Sequence, residues 1–179
     1  MNSVLVGYFP QKSKSEPTSP AAGVDEICCV PGCLTNEIEG WVNHWKHNDM
    51  FLFNDESTAW GLVQDSEKKH FDLYAYKMIP LAIRPGDTEP AVIPNLPVAP
   101  LNTDFENLGY DIQSRSDRSE YRCSPLLCNV KLGLCKANRH CLLDDRDQAI
   151  ELAQKFERRG CEPGPYFVME VWRRKRPAK

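Results

Sequence analysis

The chain has 179 residues, of which 41% are hydrophobic and 26% charged, a composition typical of a globular protein. Its net charge of −3 means that the surface as a whole is not a nucleic-acid footprint. No apolar run is long enough to span a membrane, and residues 1–7 lack the basic and apolar regions of a signal peptide. We therefore expect a cytoplasmic protein, whose eight cysteines are thiols or metal ligands.

The first half of the chain predicts strands and helices separated by polar loops. Hydrophobic periodicity and β-branched content identify the elements, and Asp55 is a predicted helix cap because a carboxylate there can accept N–H groups of the first turn. In chain order, the predicted elements are the strand Val4–Phe9, a loop at 10–26, the helix Glu37–Lys46, the strand Met50–Phe53, the helix Glu56–Val63 and the strand Phe71–Leu81.

The second half predicts a similar series. A short strand at His140–Leu143 precedes a helix that begins at Asp144 and Asp145 and carries an apolar stripe from Ala149 to Phe156, and Tyr166–Trp172 predicts the closing strand. Between the halves, five prolines predict an extended strap, and its apolar side chains are expected to pack against the body. The predicted organisation is a first repeat at 1–83, a Pro-rich strap at 84–104 and a second repeat at 105–179.

Matching signals recur in the same order in both halves, which predicts an internal duplication. Residues 48–59 align with residues 138–149 without a gap. One unit of strand, loop, strand, helix and strand is too small to bury its apolar face, so two units should share one core. The fold-class prediction is one compact α+β domain with a mixed or antiparallel sheet. The other paired signals are Gly7-Tyr8 with Gly109-Tyr110, the cysteine pairs Cys29/Cys33 and Cys123/Cys128, and the strands Phe71–Tyr76 and Tyr166–Val171.

The paired cysteines suggest a metal site. Four thiolates gathered from the two halves would suit tetrahedral zinc, although neither pair has Cys-x2-Cys spacing. The other interpretation is that these cysteines are small buried hydrophobic residues. The candidate zinc ligands are Cys29, Cys33, Cys123 and Cys128.

Three further groups could carry function. A cysteine nucleophile needs an adjacent base and a third orienting group, and a serine- and arginine-rich turn after a strand could hold an anion. The basic C-terminal residues could contact nucleic acid, or could simply be a solvated end. The candidates are Cys123, Cys128, His140 and Asp144 for catalysis, Ser114, Arg115, Ser116, Tyr8 and Tyr110 for ligand or anion binding, and Arg173, Arg174, Lys175 and Arg176 for nucleic acid.

The function predicted from these patterns is a non-catalytic binding or regulatory protein. The seam between two related halves would form a groove for a protein partner or small ligand, lined by the aromatic residues Tyr8, Trp60, Tyr110 and Trp172. One alternative is a small enzyme with a Cys/His or anion-binding site. A second is a nucleic-acid contact through the basic tail. No cofactor is predicted, apart from the zinc alternative.

Overall fold

The fold is known from a computed structural model that describes residues 2–12, 23–29, 47–48, 50, 52–80, 96–115, 122–131, 133–159 and 165–175. Within these residues, no helix is long and apolar enough to cross a membrane. The elements are β1 (Val4–Lys12), α1 (Glu56–Trp60), β2 (Phe71–Ile79), β3 (Phe105–Arg115), β4 (Arg122–Cys123), α2 (Pro125–Lys131), α3 (Arg146–Arg159) and β5 (Tyr166–Arg174).

The strands form one antiparallel sheet with the order β1-β2-β5-β3-β4. The last strand in the chain, β5, lies between β2 and β3, and Tyr76 of β2 pairs with Val171 of β5 at the centre. An antiparallel sheet with a few helices confirms the predicted α+β class.

The sheet is covered on both faces. The cross-strand neighbours Ile79, Val168 and Ile112 point to one face, where α3 packs with Ala153 and Phe156. On the opposite face Tyr74 is fully buried, and its hydroxyl contacts Cys28 from a loop of the first half. Burial on both sides explains why β2 contains almost no exposed position.

In the first half, the Asn48 side chain organises the loop that leads into α1. Its Nδ2 donates to Val6 O and to Asn54 Oδ1, both at 2.9 Å. Its Oδ1 accepts the backbone N–H groups of Met50 at 2.8 Å and Leu52 at 3.3 Å. One amide therefore fixes the loop against β1.

In the second half, Asn138 makes the corresponding set of bonds. Its Nδ2 donates to Leu108 O at 2.9 Å and to Asp144 Oδ1 at 2.8 Å. Its Oδ1 accepts from His140 N at 2.9 Å and Leu142 N at 3.1 Å. The two halves thus use the same amide in the same way. They differ in the residue that follows the loop, which is Asn54 in the first half and Asp144 in the second.

Each of these loops lies over a glycine in β1 or β3. Gly7 has φ +144° and Gly109 has φ +133°, and the strand register shifts at both positions. An added Cβ would lie 2.5 Å from Leu52 Cβ at Gly7 and 2.6 Å from Leu143 O at Gly109. Both the backbone angle and the close approach therefore require glycine.

The predicted strand His140–Leu143 is wrong, and the described residues 50, 52 and 53 of the predicted strand Met50–Phe53 do not form a strand either. Phe53 makes isolated bridges to Tyr8 and His47, and Leu143 makes one to Tyr110. The reason is that the Asn48 and Asn138 side chains take the N–H groups that a strand ladder would use, and Cys141 has φ +58°. The predicted helix Glu37–Lys46 lies outside the described residues.

The two helix predictions that fall on described residues are confirmed, with two corrections. Asp55 Oδ1 accepts from Thr58 N at 2.8 Å and Asp145 Oδ1 from Gln148 N at 2.7 Å, so both predicted caps are present. However, α1 ends at Trp60, earlier than predicted, and α2 occupies part of the predicted cysteine loop. Proline is favoured at the first position of a helix, and Pro125 there was an overlooked sign of α2.

The end of the strap packs against the body as predicted. Leu96, Val98 and Leu101 contact the main hydrophobic core. Ala99 N donates to Asn54 O at 2.8 Å, and Ala99 O accepts from the Tyr8 hydroxyl at 3.0 Å. These contacts cover Tyr8.

Candidate functional site

Besides the pairing of β2 with β5, the two halves meet where residues 25–29 run beside residues 139–141, a contact that we call the seam. Asp25 N and Glu26 N both donate to Arg139 O, at 2.8 and 3.0 Å, and Cys28 N donates to His140 O at 2.9 Å. An ion pair of 3.1 Å between Asp25 and Arg139 adds to these bonds at the surface. The backbone therefore holds side chains of both halves in register.

Five side chains form a polar group at the seam, which we call the seam cluster: Glu26, Cys28, Glu106, His140 and Arg173. Glu26 Oε1 lies 2.5 Å from His140 Nδ1 and 2.8 Å from Arg173 Nη1. The Arg173 guanidinium also reaches Glu106 Oε1, 3.1 Å from Nη2. The cluster thus combines carboxylate, imidazole, thiol and guanidinium groups.

The sheet register positions the inner side of this cluster. Arg173 of β5 pairs with Tyr74 on one side and with Glu106 on the other, so the three side chains share one face. Burial alone would lower the pKa of Arg173, but its hydrogen bonds with Glu26 and Glu106 raise it overall. The guanidinium is therefore a fixed positive charge on the inner side of the cluster.

The thiol of Cys28 is the least accessible member of the cluster. Cys28 is 1% exposed, and its sulfur lies 3.6 Å from the Tyr74 hydroxyl. Burial, followed by the Glu26 carboxylate, raises the pKa of Cys28 to about 12, although the Tyr74 hydrogen bond and Arg173 act in the opposite direction. At neutral pH this cysteine is a protonated thiol.

Two further thiols lie beside the cluster. Cys29 and Cys141 are fully buried. A side-chain hydrogen bond with Cys141, together with burial, raises the pKa of Cys29 well above its usual range. Together with Cys28 and Cys135, these two are free thiols, and no disulfide joins any two of these four cysteines.

A buried carboxylate on β3 has a structural role. Asp111 is fully buried and accepts from Ser124 Oγ at 2.5 Å, from Ile112 N at 2.9 Å and from Gln113 Nε2 at 3.1 Å. Because Ser124 precedes α2, these bonds anchor that helix to the sheet. Satisfied in this way, Asp111 is a structural group rather than a catalytic one.

Of the four predicted zinc ligands, only Cys29 has a side chain that the structure describes. Cys29 is buried beside Cys141. Cys33 and the side chains of Cys123 and Cys128 lie outside the described part of the chain, so a zinc site built from all four remains a prediction. The same limit applies to Cys123 and Cys128 as catalytic candidates.

Of the remaining catalytic candidates, His140 belongs to the seam cluster and Asp144 does not. Instead, Asp144 accepts a hydrogen bond from the side-chain amide of Asn138. Among the anion-binding candidates, Ser114 is buried, whereas the Arg115 side chain and Ser116 are outside the described residues. An anion site there stays a prediction.

The predicted aromatic groove is partly closed. Tyr8 is fully buried beneath the strap. Trp172 remains partly exposed, with the Lys77 ammonium 4.4 Å from its ring centroid and its Nε1 donating to Glu170 at 3.2 Å. Tyr110 is also partly exposed and pairs with Glu170 across the sheet.

Three of the predicted tail cations have partners within the chain. Arg173 belongs to the seam cluster, and Arg174 Nη1 lies 3.2 Å from a Glu56 carboxylate oxygen. Lys175 donates from Nζ to Thr103 O at 3.2 Å. Arg176 is outside the described residues.

Comparison with family models, with curated proteins and with solved structures finds no match for this chain. Inference about function therefore depends on the chemistry of its own side chains. Glu26 was not identified as a functional residue from the sequence, because its partner His140 is 114 positions away. The adjacent cysteines Cys28 and Cys29 are the one local signal that could have drawn attention to this segment.

Proposed function

We propose that this chain is a non-catalytic binding or regulatory protein that holds a ligand at the seam between two related halves. One observation carries the proposal: Glu26 and Cys28 from the first half converge on His140, Arg173 and Glu106 from the second. Converging polar groups at the junction of two structural units are a common form of ligand site. The ligand could be a small molecule or a group presented by a protein partner.

The relation between the halves supports this reading. Asn48 and Asn138 make matching hydrogen bonds, and Gly7 and Gly109 lie beneath their loops with similar backbone angles. We propose that the halves descend from one duplicated unit. A site at their junction then takes residues that a single unit could not bring together.

The state of the thiol supports a non-catalytic role. A nucleophilic cysteine is normally an accessible thiolate with a lowered pKa. Cys28 is buried, and its pKa is raised to about 12. Glu26 and His140 resemble an orienting acid and a base, but the thiol beside them is poorly suited to attack a substrate.

A ligand screen by thermal unfolding tests the proposal. The full chain is melted with divalent cations, inorganic phosphate, sulfate, nucleotides and amino acids, and the melts are repeated with Glu26→Gln and Arg173→Gln. A ligand present at about 100 times its Kd stabilises a protein by about 2.7 kcal/mol. For a chain of this size, that corresponds to a rise in Tm of about 5–11 °C.

The matched control is Asp25→Asn, which changes an exposed carboxylate next to Glu26. We expect at least one ligand class to raise the Tm of the wild type and of Asp25→Asn, and this effect should be lost in Glu26→Gln, in Arg173→Gln or in both. If no ligand class gives a shift that depends on the cluster, the seam is only a structural contact and the proposal is wrong.

The enzyme alternative is tested by cysteine alkylation of the native protein. Iodoacetamide reacts with thiolate, so the rate at Cys28 should be far below that of a free cysteine at pH 7. Cys135, which is partly exposed, serves as the internal comparison. Rapid modification of Cys28 at neutral pH would favour the enzyme alternative.

Two further parts of the proposal concern partners and location. Nucleic-acid binding through the tail remains a weaker alternative, because the charges of Arg173 and Arg174 are already paired within the chain. It predicts an affinity that falls steeply with salt. The cytoplasm remains the proposed compartment, and the four free thiols support it.

A further inference from the structure

Three members of the seam cluster with the chemistry of metal ligands lie close together. One donor atom from each of Glu26, Cys28 and His140 lies within 4.8 Å of the other two. Among the described residues, this is the one group of three such side chains that come so close together. The set offers one oxygen, one sulfur and one nitrogen donor.

The spacing suits insertion of a single ion. Tetrahedral zinc with bonds of about 2.0–2.3 Å separates its ligand atoms by about 3.3–3.5 Å. The Glu26–His140 contact of 2.5 Å would have to open by about 1 Å for a direct ligand pair at that spacing. An ion would then lie between the two side chains in place of their hydrogen bond.

The backbone brings the three residues together before any ion binds. Glu26 N and Cys28 N donate to carbonyl groups of the segment 139–141, and His140 N donates to Asn138 Oδ1. Cys141, next to His140, has φ +58°, a backbone strain that tends to occur at functional sites. Preorganised donors lower the entropy that binding must overcome.

Access to solvent and charge also fit. The side chains of Glu26 and His140 are 17% and 16% exposed, so an ion can enter from their side while Cys28 closes the inner side. The two positive charges of a divalent ion would be balanced by the Glu26 carboxylate and a Cys28 thiolate. Arg173 would then be balanced by Glu106, which it already contacts.

We propose that Glu26, Cys28 and His140 bind one zinc ion. This inference rests on the proposed function, because it names the ligand of the seam. Thiolate and imidazole donors favour zinc over magnesium and calcium, which prefer oxygen ligands. Binding would release the Cys28 proton to the solvent.

Titration calorimetry with Zn²⁺ tests the site on the full chain, after removal of metal and under reducing conditions. We expect the wild type to bind Zn²⁺ but neither Mg²⁺ nor Ca²⁺. Loss of an outer-shell partner typically lowers metal affinity by about 10–100-fold, so loss of a direct ligand should cost at least about 100-fold. The ligand variants are Glu26→Gln, Cys28→Ser and His140→Gln.

Each ligand variant has a control of the same residue type or charge. Asp25→Asn controls for a neighbouring carboxylate, Cys135→Ser for a partly exposed thiol, and His70→Gln for an exposed imidazole. The controls should retain wild-type affinity. Equal affinities in ligand variants and controls would place any bound zinc elsewhere and overturn the site. Circular dichroism excludes variants that have not folded.

Cobalt gives a readout that a general loss of stability cannot mimic. Co²⁺ bound by Cys28 should produce a sulfur-to-metal charge-transfer absorption, which Cys28→Ser should remove and Cys135→Ser should not. Absence of this band from Co²⁺-loaded wild type would refute the thiolate ligand.

Arg173 provides a test of the opposite sign. Its guanidinium competes with a cation for Glu26, so Arg173→Gln should bind Zn²⁺ more tightly than the wild type. Weaker binding by this variant would contradict the proposed geometry. If zinc does not bind but another ligand shows a shift that depends on the cluster, the zinc site fails and the proposed function stands. If no ligand does so, both fail.

Discussion

The matching amides Asn48 and Asn138 allow one substitution to be made in two nearly identical settings. Aspartate at either position removes the donor to a backbone carbonyl, Val6 O in one half and Leu108 O in the other. Leaving a partly buried acceptor without its donor costs about 1–3 kcal/mol in each case. This shared cost cancels when the two variants are compared.

The next contact of the side chain differs between the two settings. Asn48 faces Asn54, whose amide can rotate to donate to the new carboxylate. Asn138 faces Asp144 at 2.8 Å, so Asn138→Asp places two carboxylates together. Two like charges about 4 Å apart repel by about 1 kcal/mol in water and about 4 kcal/mol near a protein surface. Asn138→Asp should therefore be about 1–4 kcal/mol less stable than Asn48→Asp at pH 7.

The difference should depend on pH with a known sign. In Asn138→Asp, repulsion between the introduced carboxylate and Asp144 raises the pKa of one of the two carboxyl groups above its unfolded value, so the folded state binds protons more readily than the unfolded state. The deficit of this variant should therefore shrink as the pH falls from 7 toward 4, whereas Asn48→Asp gains no comparable benefit.

Urea unfolding at pH 7 and pH 4.5 measures both effects, and Asn138→Asp combined with Asp144→Asn provides a rescue. That double variant places an aspartate beside an asparagine, as Asn48→Asp does in the first half. It should therefore return to the stability of Asn48→Asp. Equal losses in the two single variants, or no rescue, would show that the two amides do not have equivalent roles.

The remaining predictions concern glycines and caps. Gly7→Ala and Gly109→Ala should each lower the free energy of unfolding by at least about 1–3 kcal/mol, because both the positive φ and the close approach of neighbouring atoms exclude a side chain. Gly23→Ala, with a positive φ but no atom within 4 Å of the added Cβ, should lose less. Equal losses in urea unfolding would refute the steric part of the argument. Asp55→Ala and Asp145→Ala should each cost about 0.5–2 kcal/mol in thermal unfolding at pH 7. A hydrogen bond from Ser57, followed by one from Thr58 N, lowers the pKa of Asp55, so the cost of Asp55→Ala should disappear as acid protonates this carboxyl, and a cost independent of pH would contradict that role.

Local features of this fold could be predicted from the sequence. Asp55 and Asp145 each precede an apolar stripe at helical spacing, and both are caps as expected. The strand predicted at Phe71–Leu81 is present as β2 at Phe71–Ile79, because its apolar and β-sheet-favouring residues are all within one short segment. The strands expected at 50–53 and 140–143 are absent because a side chain, rather than a neighbouring strand, takes their N–H groups.

The seam cluster could not be predicted in the same way. Glu26 meets His140 and Arg173 only because β5 lies between β2 and β3, and this strand order is not visible in any local pattern. The matching positions also diverge: Met50 stands where the second half has His140. The two halves therefore have different residues at the seam cluster, and cysteine pairs that recur in both halves do not point to it.

The position of β5 in the sheet also affects how the chain can fold during synthesis. Until residues 166–174 are available, β2 and β3 each have one edge without a partner, and these edges become the centre of the finished sheet. Unpaired edges of this kind are templates for pairing with other chains. The emerging polypeptide must therefore keep two edges of unpaired N–H and C=O groups from pairing wrongly until β5 inserts between them, so the central strand of this sheet is added after its neighbours.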